Sequence, residues 1–158
     1  MSIGESGTLH HIAFVVEDLE KAAKKWADSL GIKPWNLWTI KPAEATVYGK
    51  PVSMSFRVAI AEVGGSSYEL VSHQSGESVY TEFLKEKGEG FHHTCIAYPS
   101  HEEMLNAKKA MADQGRKLIQ ACSLGELGEF CYYEVSEMNA VVELLYLTEL
   151  PPPEKTVA

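Results

Sequence analysis

The chain has 158 residues, 45% of them hydrophobic and 23% charged, with a formal net charge of -8. That length suits one compact domain or two small modules sharing a core, and the acidic balance argues against a duplex nucleic-acid footprint. No apolar run approaches the roughly 20 residues needed to cross a bilayer, and Met1-Ser2-Ile3-Gly4-Glu5 lacks the basic and apolar pattern of a secretory leader. The cysteines, Cys95, Cys122 and Cys131, are odd in number and form no C-x-x-C pair, so reduced thiols in a cytoplasmic protein are expected.

In chain order, Thr8 to Val16 reads as a strand opening on His10-His11. Asp18 is an N-cap for a helix to Leu30, with Leu19, Ala22, Ala23, Trp26 and Leu30 on one stripe and Gly31 as the stop. Lys21, Lys24 and Lys25 face away from that stripe. Residues 32–51 are irregular, with a strand starting near Trp38 and loop chemistry in Lys41-Pro42-Ala43-Glu44 and Tyr48-Gly49-Lys50-Pro51. Val52–Val63 and Ser66–His73 form a hairpin about Gly64-Gly65. A short helix is expected over Val79–Lys87, within a linker at 74–90.

The pattern then restarts. Phe91 to Tyr98 is a strand carrying His92-His93. Ser100 with Glu103 makes a capping box for a helix striped by Met104, Ala107 and Met111 and ended by Gly115. Strands follow at Lys117–Ala121, Glu129–Val135 and Ala140–Leu147. Pro151-Pro152-Pro153 closes the domain, and residues 149–158 read as a loose Pro-rich tail. The fold class is therefore α+β: two tandem βαβββ modules, 8–73 and 91–148, forming a curved, mostly antiparallel eight-stranded sheet around a cavity. The repeat is unequal, because His11 and Glu69 are 58 positions apart and His93 and Glu143 are 50. The extra length falls at 35–50.

Strand alternation separates His11, Ala13 and Val15 from His10, Ile12, Phe14 and Val16. The larger apolar set belongs under the Trp26 helix, which sends His11 to the concave side, and the repeat gives His93 the same orientation. Glu69 and Glu143 each sit in an apolar strand, where an unpartnered carboxylate is costly. A divalent metal is an economical partner: two imidazoles and two carboxylates suit Zn²⁺, Co²⁺, Ni²⁺, Fe²⁺ or Mn²⁺. His10 and His92 point away and are assigned supporting roles. Taken alone, a strand-start His is usually a satisfied polar residue and a strand Glu usually pairs with Lys or Arg.

The sequence resembles the vicinal oxygen chelate superfamily, which includes glyoxalase I, methylmalonyl-CoA epimerase, extradiol dioxygenases and antibiotic-resistance proteins. The epimerase branch is similar at three stretches: His11-Ile12-Ala13-Phe14-Val15-Val16-Glu17-Asp18-Leu19-Glu20, Phe83 through His93, and Val142-Glu143-Leu144-Leu145. The resemblance implies a divalent metal held by His11, Glu69, His93 and Glu143, and a homodimer. It also implies proton abstraction next to a carbonyl of a small-molecule or thioester substrate such as an acyl-CoA, with Glu143 the first choice of base and Glu69 the second. A glyoxalase-type lyase and a non-catalytic binding or resistance protein are the alternatives. Tyr48, Arg57 and Tyr132 are expected substrate contacts. One departure stands out: the branch carries a further carboxylate on its third strand, and Pro51 to Phe56 has none. Glu44 lies upstream, in the insertion.

Overall fold

The computed structural model describes residues 3–158, whose strands form one eleven-stranded sheet. The first module is β1 (Thr8–Val15), helix α1 (Leu19–Leu30), β2 (Trp35–Ile40), β5 (Met54–Val63) and β6 (Ser66–Gly76). The second is β7 (Gly90–Ala97), helix α3 (His101–Asp113), β8 (Leu118–Ser123), β9 (Gly128–Val135) and β10 (Ala140–Leu147). Helix α2 (Val79–Lys87) lies in the linker. β1 runs parallel to β6, β7 runs parallel to β10, and the modules meet within this one chain through antiparallel β1 and β7.

The local chemistry explains the element ends. The Asp18 carboxylate accepts from Lys21 N at 3.1 Å, satisfying a donor of the first turn, and Gly31 takes the left-handed φ of 70° that ends α1. Ser100 accepts from Glu103 N at 3.2 Å while its hydroxyl donates to the Glu103 carboxylate at 3.0 Å. Each helix then buries its stripe on the outer face of its own module. Leu19, Ala23 and Ala27 pack on Trp35, Leu37 and Leu70, whereas Met104, Ala107 and Met111 pack on Leu144 and Tyr133. The third core lies inside the curve of the sheet and includes Phe56, Val58, Phe130, Tyr132 and Leu145.

Three strands exceed the expected eight. β3 (Glu44–Val47) and β4 (Lys50–Val52) come from the insertion, and β3 pairs with β8 of the other module. β2 and β3 thus lie near opposite ends of the strand order. Four Cα steps join Ile40 to Glu44, a span of about 14 Å at most. The sheet is therefore rolled until its edges approach. Gly76 permits the close passage at that seam: its φ is 77°, and a Cβ there would meet Ser53 O at 1.9 Å.

The tail corrects the expectation of a loose segment. Lys155–Val157 forms β11, antiparallel to β2, with Lys155 opposite Leu37. β2 is otherwise an edge with unpaired backbone groups, and the tail covers it. Among the described residues no helix is long and apolar enough to cross a membrane.

Candidate metal centre

Register alone brings four groups together. On β1, Ala13 lies between Glu69 of β6 and His93 of β7. On β7, Cys95 lies between Glu143 of β10 and His11 of β1. Each module thus delivers one His and one Glu to the concave face by the same offsets.

The structure brings together His11, Glu69, His93 and Glu143, all buried, with one ligating atom of each within 4.8 Å of the others. His11 Nε2 is 3.0 Å from Glu143 Oε2 and 3.6 Å from Glu69 Oε1. His93 Nε2 is 2.8 Å from Glu143 Oε2 and 3.8 Å from Glu69 Oε1. The two Nε2 atoms are 3.3 Å apart. Donors about 2.1 Å from one ion stand roughly 3.0–3.4 Å from each other, so this spacing and this N₂O₂ chemistry fit a divalent cation.

The adjacent histidines hold the rings. His10 Nδ1 is 2.8 Å from His11 Nδ1, and His92 Nδ1 is 2.8 Å from His93 Nδ1. With Nδ1 of His11 and of His93 engaged there, Nε2 is the nitrogen left to face the cluster. Burial and then the neighbouring His93 push His92 down to about 3, while burial and then His11 lower His10, so both stay neutral at ordinary pH. Strand alternation sends both second rings away from the cavity; His10 departs from that, because the register slips between Leu9 and His11 and His10 lines the same cavity as His11.

Electrostatics separate the two carboxylates. Burial opposes charge on His11, but Glu69 and Glu143 outweigh it and raise the imidazole to about 9. Burial lifts Glu69 to about 7 against the pull of His11, with the Glu143 charge adding to the rise. Burial would lift Glu143 as well, but its contacts with His11 and His93 hold it well below the usual carboxylate range. Burial lowers His93 despite Glu143, so the two imidazoles are pushed in opposite directions although both face the two carboxylates.

The other expected residues divide. Tyr132 lines the cavity beside the cluster, its ring centroid 4.7 Å from that of His93, and its hydroxyl is 2.7 Å from that of Tyr80. Tyr48 lies elsewhere, in a separate cavity of about 340 Å³, where its hydroxyl donates to Glu82 at 2.6 Å. Arg57 pairs with Glu20 at 3.2 Å. These two do not line the cavity above the cluster: Tyr48 follows the insertion to the far sheet edge, and Arg57 alternates away from Phe56 and Val58. Glu44 is exposed on β3 opposite Ser123, so it does not replace the missing third-strand carboxylate. The three thiols are buried and raised in pKa by burial first, which leaves no ready thiolate.

This geometry, two βαβββ modules delivering matched His and Glu residues to one concavity, has relatives. Residues 10–133 match the model of the Glyoxalase/Bleomycin resistance protein/Dioxygenase superfamily, and the chain belongs to that superfamily. It is 30% identical over 118 residues to the mitochondrial methylmalonyl-CoA epimerase of Mus musculus, a match covering 74% of this chain and 57% of that protein. The Homo sapiens counterpart is 29% identical over 123 residues, covering 77% and 60%. The chain thus spans under two thirds of the length of these relatives. Among solved structures, methylmalonyl-CoA epimerase from Mycobacterium tuberculosis superposes with a TM-score of 0.60 at 20% identity, covering 89% of this chain and 88% of that one. A hypothetical protein from Bacillus halodurans C-125 gives 0.63 at 22% identity, covering 93% and 99%. At these identities the structural likeness speaks to the fold.

Proposed function

We propose that the chain is a divalent-metal-dependent isomerase or epimerase that moves a proton on the carbon next to a carbonyl, acting on an acyl thioester. The observation that carries this reading is the convergence of His11, Glu69, His93 and Glu143, of which His11, Glu69 and Glu143 line a cavity whose remaining walls are mostly apolar. The epimerase names of its relatives support the reaction class.

His11, His93 and Glu143 would hold the ion, with Glu69 as a fourth, looser ligand. When bound, the ion supplies Lewis-acid polarisation of the substrate carbonyl. His10 and His92 keep Nε2 of His11 and of His93 directed at the site. The apolar lining excludes water, which strengthens every charge interaction inside. Glu69 is the better base of the two carboxylates. It makes longer contacts than Glu143 and its acidity is shifted toward neutrality, where a general base works best. This reverses the preference for Glu143 drawn from the resemblance. Glu69 would take the α-proton and return it, so solvent hydrogen enters at that carbon.

The test is to load the protein with Zn²⁺, Co²⁺ or Mn²⁺ and incubate it with 2-substituted acyl thioesters, methylmalonyl-CoA included, in D₂O. Deuterium uptake at the α-carbon that requires the metal is expected. A panel with no uptake above the metal-only background overturns the reading.

A further inference from the structure

The cavity over the four-residue cluster has a volume of about 60 Å³. An apolar cavity of about 150 Å³ is what a benzene ring occupies, so only a smaller group fits here without rearrangement. Its lining beyond the cluster is Phe56, Val58, Ile60 and other apolar side chains, with only His10 and Tyr132 as further polar groups. Among the described residues no lysine or arginine lines it. A charged substituent turned toward that apolar wall, away from the cluster, would be buried without a partner, which is costly.

Ile40, Leu124 and Leu150 line this cavity and also a larger outer groove of about 740 Å³, where Trp38, Pro151 and Pro152 join them. All three shared residues are half-buried, as a boundary between interior and surface requires. Leu150 belongs to the C-terminal segment, and its position is fixed from both sides. Before it, Thr148 N donates to Leu127 O at 2.8 Å; after it, Trp38 Nε1 donates to Pro151 O at 2.8 Å. Further on, the Glu154 carboxylate accepts from Thr39 N at 3.0 Å and Thr39 Oγ1 at 2.9 Å, and β11 completes the attachment. The segment lies beyond residues 10–133, so the family match assigns it no role.

We propose that residues 148–157 complete the substrate site: Leu150, with Ile40 and Leu124, forms an apolar gate that restricts the α-substituent to a short, uncharged alkyl group and passes the rest of the substrate into the outer groove. The inference rests on the carbonyl chemistry proposed above for its substrate, but its geometry can be tested without turnover. Leu150 packs on the inner apolar core and acts as a specificity-determining residue, not as a donor to the ion.

Two measurements separate the ideas. The first is calorimetric binding of isobutyrohydroxamate and benzohydroxamate, two chelating probes of different bulk, to the Zn²⁺-loaded full chain. The intact protein is expected to favour the isobutyryl probe by about tenfold, and Leu150→Ala to shift that ratio by about tenfold toward the phenyl probe. Glu154→Ala, which releases the segment from Thr39, should shift it in the same direction, and thermal melting checks that both variants fold. The second is α-deuteration of 2-methyl and 2-phenyl acyl thioesters of one thiol, where Leu150→Ala should relax the preference for methyl. An unchanged binding ratio in both folded variants, or no hydroxamate binding to metal-loaded protein, overturns the gate. A shifted binding ratio with no deuteration of any thioester upholds the gate and overturns the proposed reaction.

Discussion

The two halves of the molecule deliver the same donors by the same register, yet they hold them differently. Glu143 stands 2.8 and 3.0 Å from the two imidazoles, and Glu69 stands 3.6 and 3.8 Å from them. Opposite Glu143 is Cys95, whose thiol is kept protonated by burial first and by the Glu143 charge next; at the matched place opposite Glu69 is Ala13. A duplicated frame therefore supplies one firmly held carboxylate and one loosely held one. The metal-dependent proton transfer proposed for this chain calls for both: a ligand that stays and a base that can shift. The difference lies in contacts that lengthen from 3.0 to 3.6 Å at His11 and from 2.8 to 3.8 Å at His93, on strands paired in the same register.

The comparison breaks most sharply at the carboxylates. Glu143→Gln and His93→Ala should remove the ion as well as activity, with metal content falling below stoichiometric after dialysis. Glu69→Gln should retain more of the metal while proton exchange falls by about a thousandfold, as loss of a general base does. Elemental analysis beside deuterium-uptake rates separates the two behaviours. If Glu69→Gln loses the metal and Glu143→Gln keeps it, the assignment of roles is inverted.

The protons of the metal-free site give the next effect. A cation must displace the proton from His11, held to about 9, and below about 7 from Glu69 as well. Metal affinity should therefore rise with pH, by about tenfold per unit between 7 and 9 while one proton is released, and level off above 9. The stability of the metal-free protein runs the other way. His11 is raised above its unfolded value, so its contribution is complete below about 6.5 and disappears as pH rises through 9. Glu69 holds its proton more tightly folded than unfolded, so its contribution likewise falls between about 4.5 and 7. Chelator competition and thermal melts across pH 6 to 9 read both slopes, and a flat affinity would contradict the proton assignment.

The duplicated frame was legible because period-2 alternation and two capped helices fix which face each side chain takes, and the repeat names His11, His93, Glu69 and Glu143 without any tertiary information. The tertiary pairings were not legible. β3 and β4 have four and three residues and include Pro51; β4 pairs with β3, and β3 pairs with β8, whose Ser123 faces Glu44. Strands that short carry too few alternations to announce themselves, and the loop signals at Lys41-Pro42 and Gly49-Lys50 are real for the turns between them. β11 is three residues behind a proline run. The tail's partners are the edge of β2 for β11, Trp38 for Pro151, Thr39 for Glu154 and Glu20 for Lys155, none of which its own sequence reveals. The cavity lining of Ile40, Leu124 and Leu150 follows from those same long-range pairings.

The supporting histidines come next in size. Replacing either member of a ligand's hydrogen-bonded surroundings costs about 10–100-fold in metal affinity. His92→Ala should lie at the upper end and His10→Ala at the lower. His92 is 5% exposed and its ring meets Tyr80, Phe83 and Tyr132, so its removal also opens a void; His10 is only partly buried and its ring contact is His11. Equal losses from the two variants would show that ring orientation alone matters and the packing around His92 does not.

The smallest expected effect tests the asymmetry at its origin. Cys95→Ala makes the second half resemble the first, removing one weak donor from opposite Glu143 while leaving both imidazole contacts. A hydrogen bond to a charged group contributes about 1.5–3 kcal/mol at most, and a thiol is a weak donor, so a loss of about threefold in metal affinity is expected. Ala13→Cys makes the reciprocal change, offering Glu69 the thiol it lacks. If firmness at Glu69 is what a base must not have, Ala13→Cys should bind metal at least as tightly as the parent and exchange protons more slowly, and the pair of substitutions together should move activity toward Glu143. Proton-exchange rates at saturating metal distinguish this from a general loss of packing, which would slow both single variants alike. A faster Ala13→Cys protein would mean that Glu69 works as a fixed ligand and that the looser contacts have no catalytic consequence.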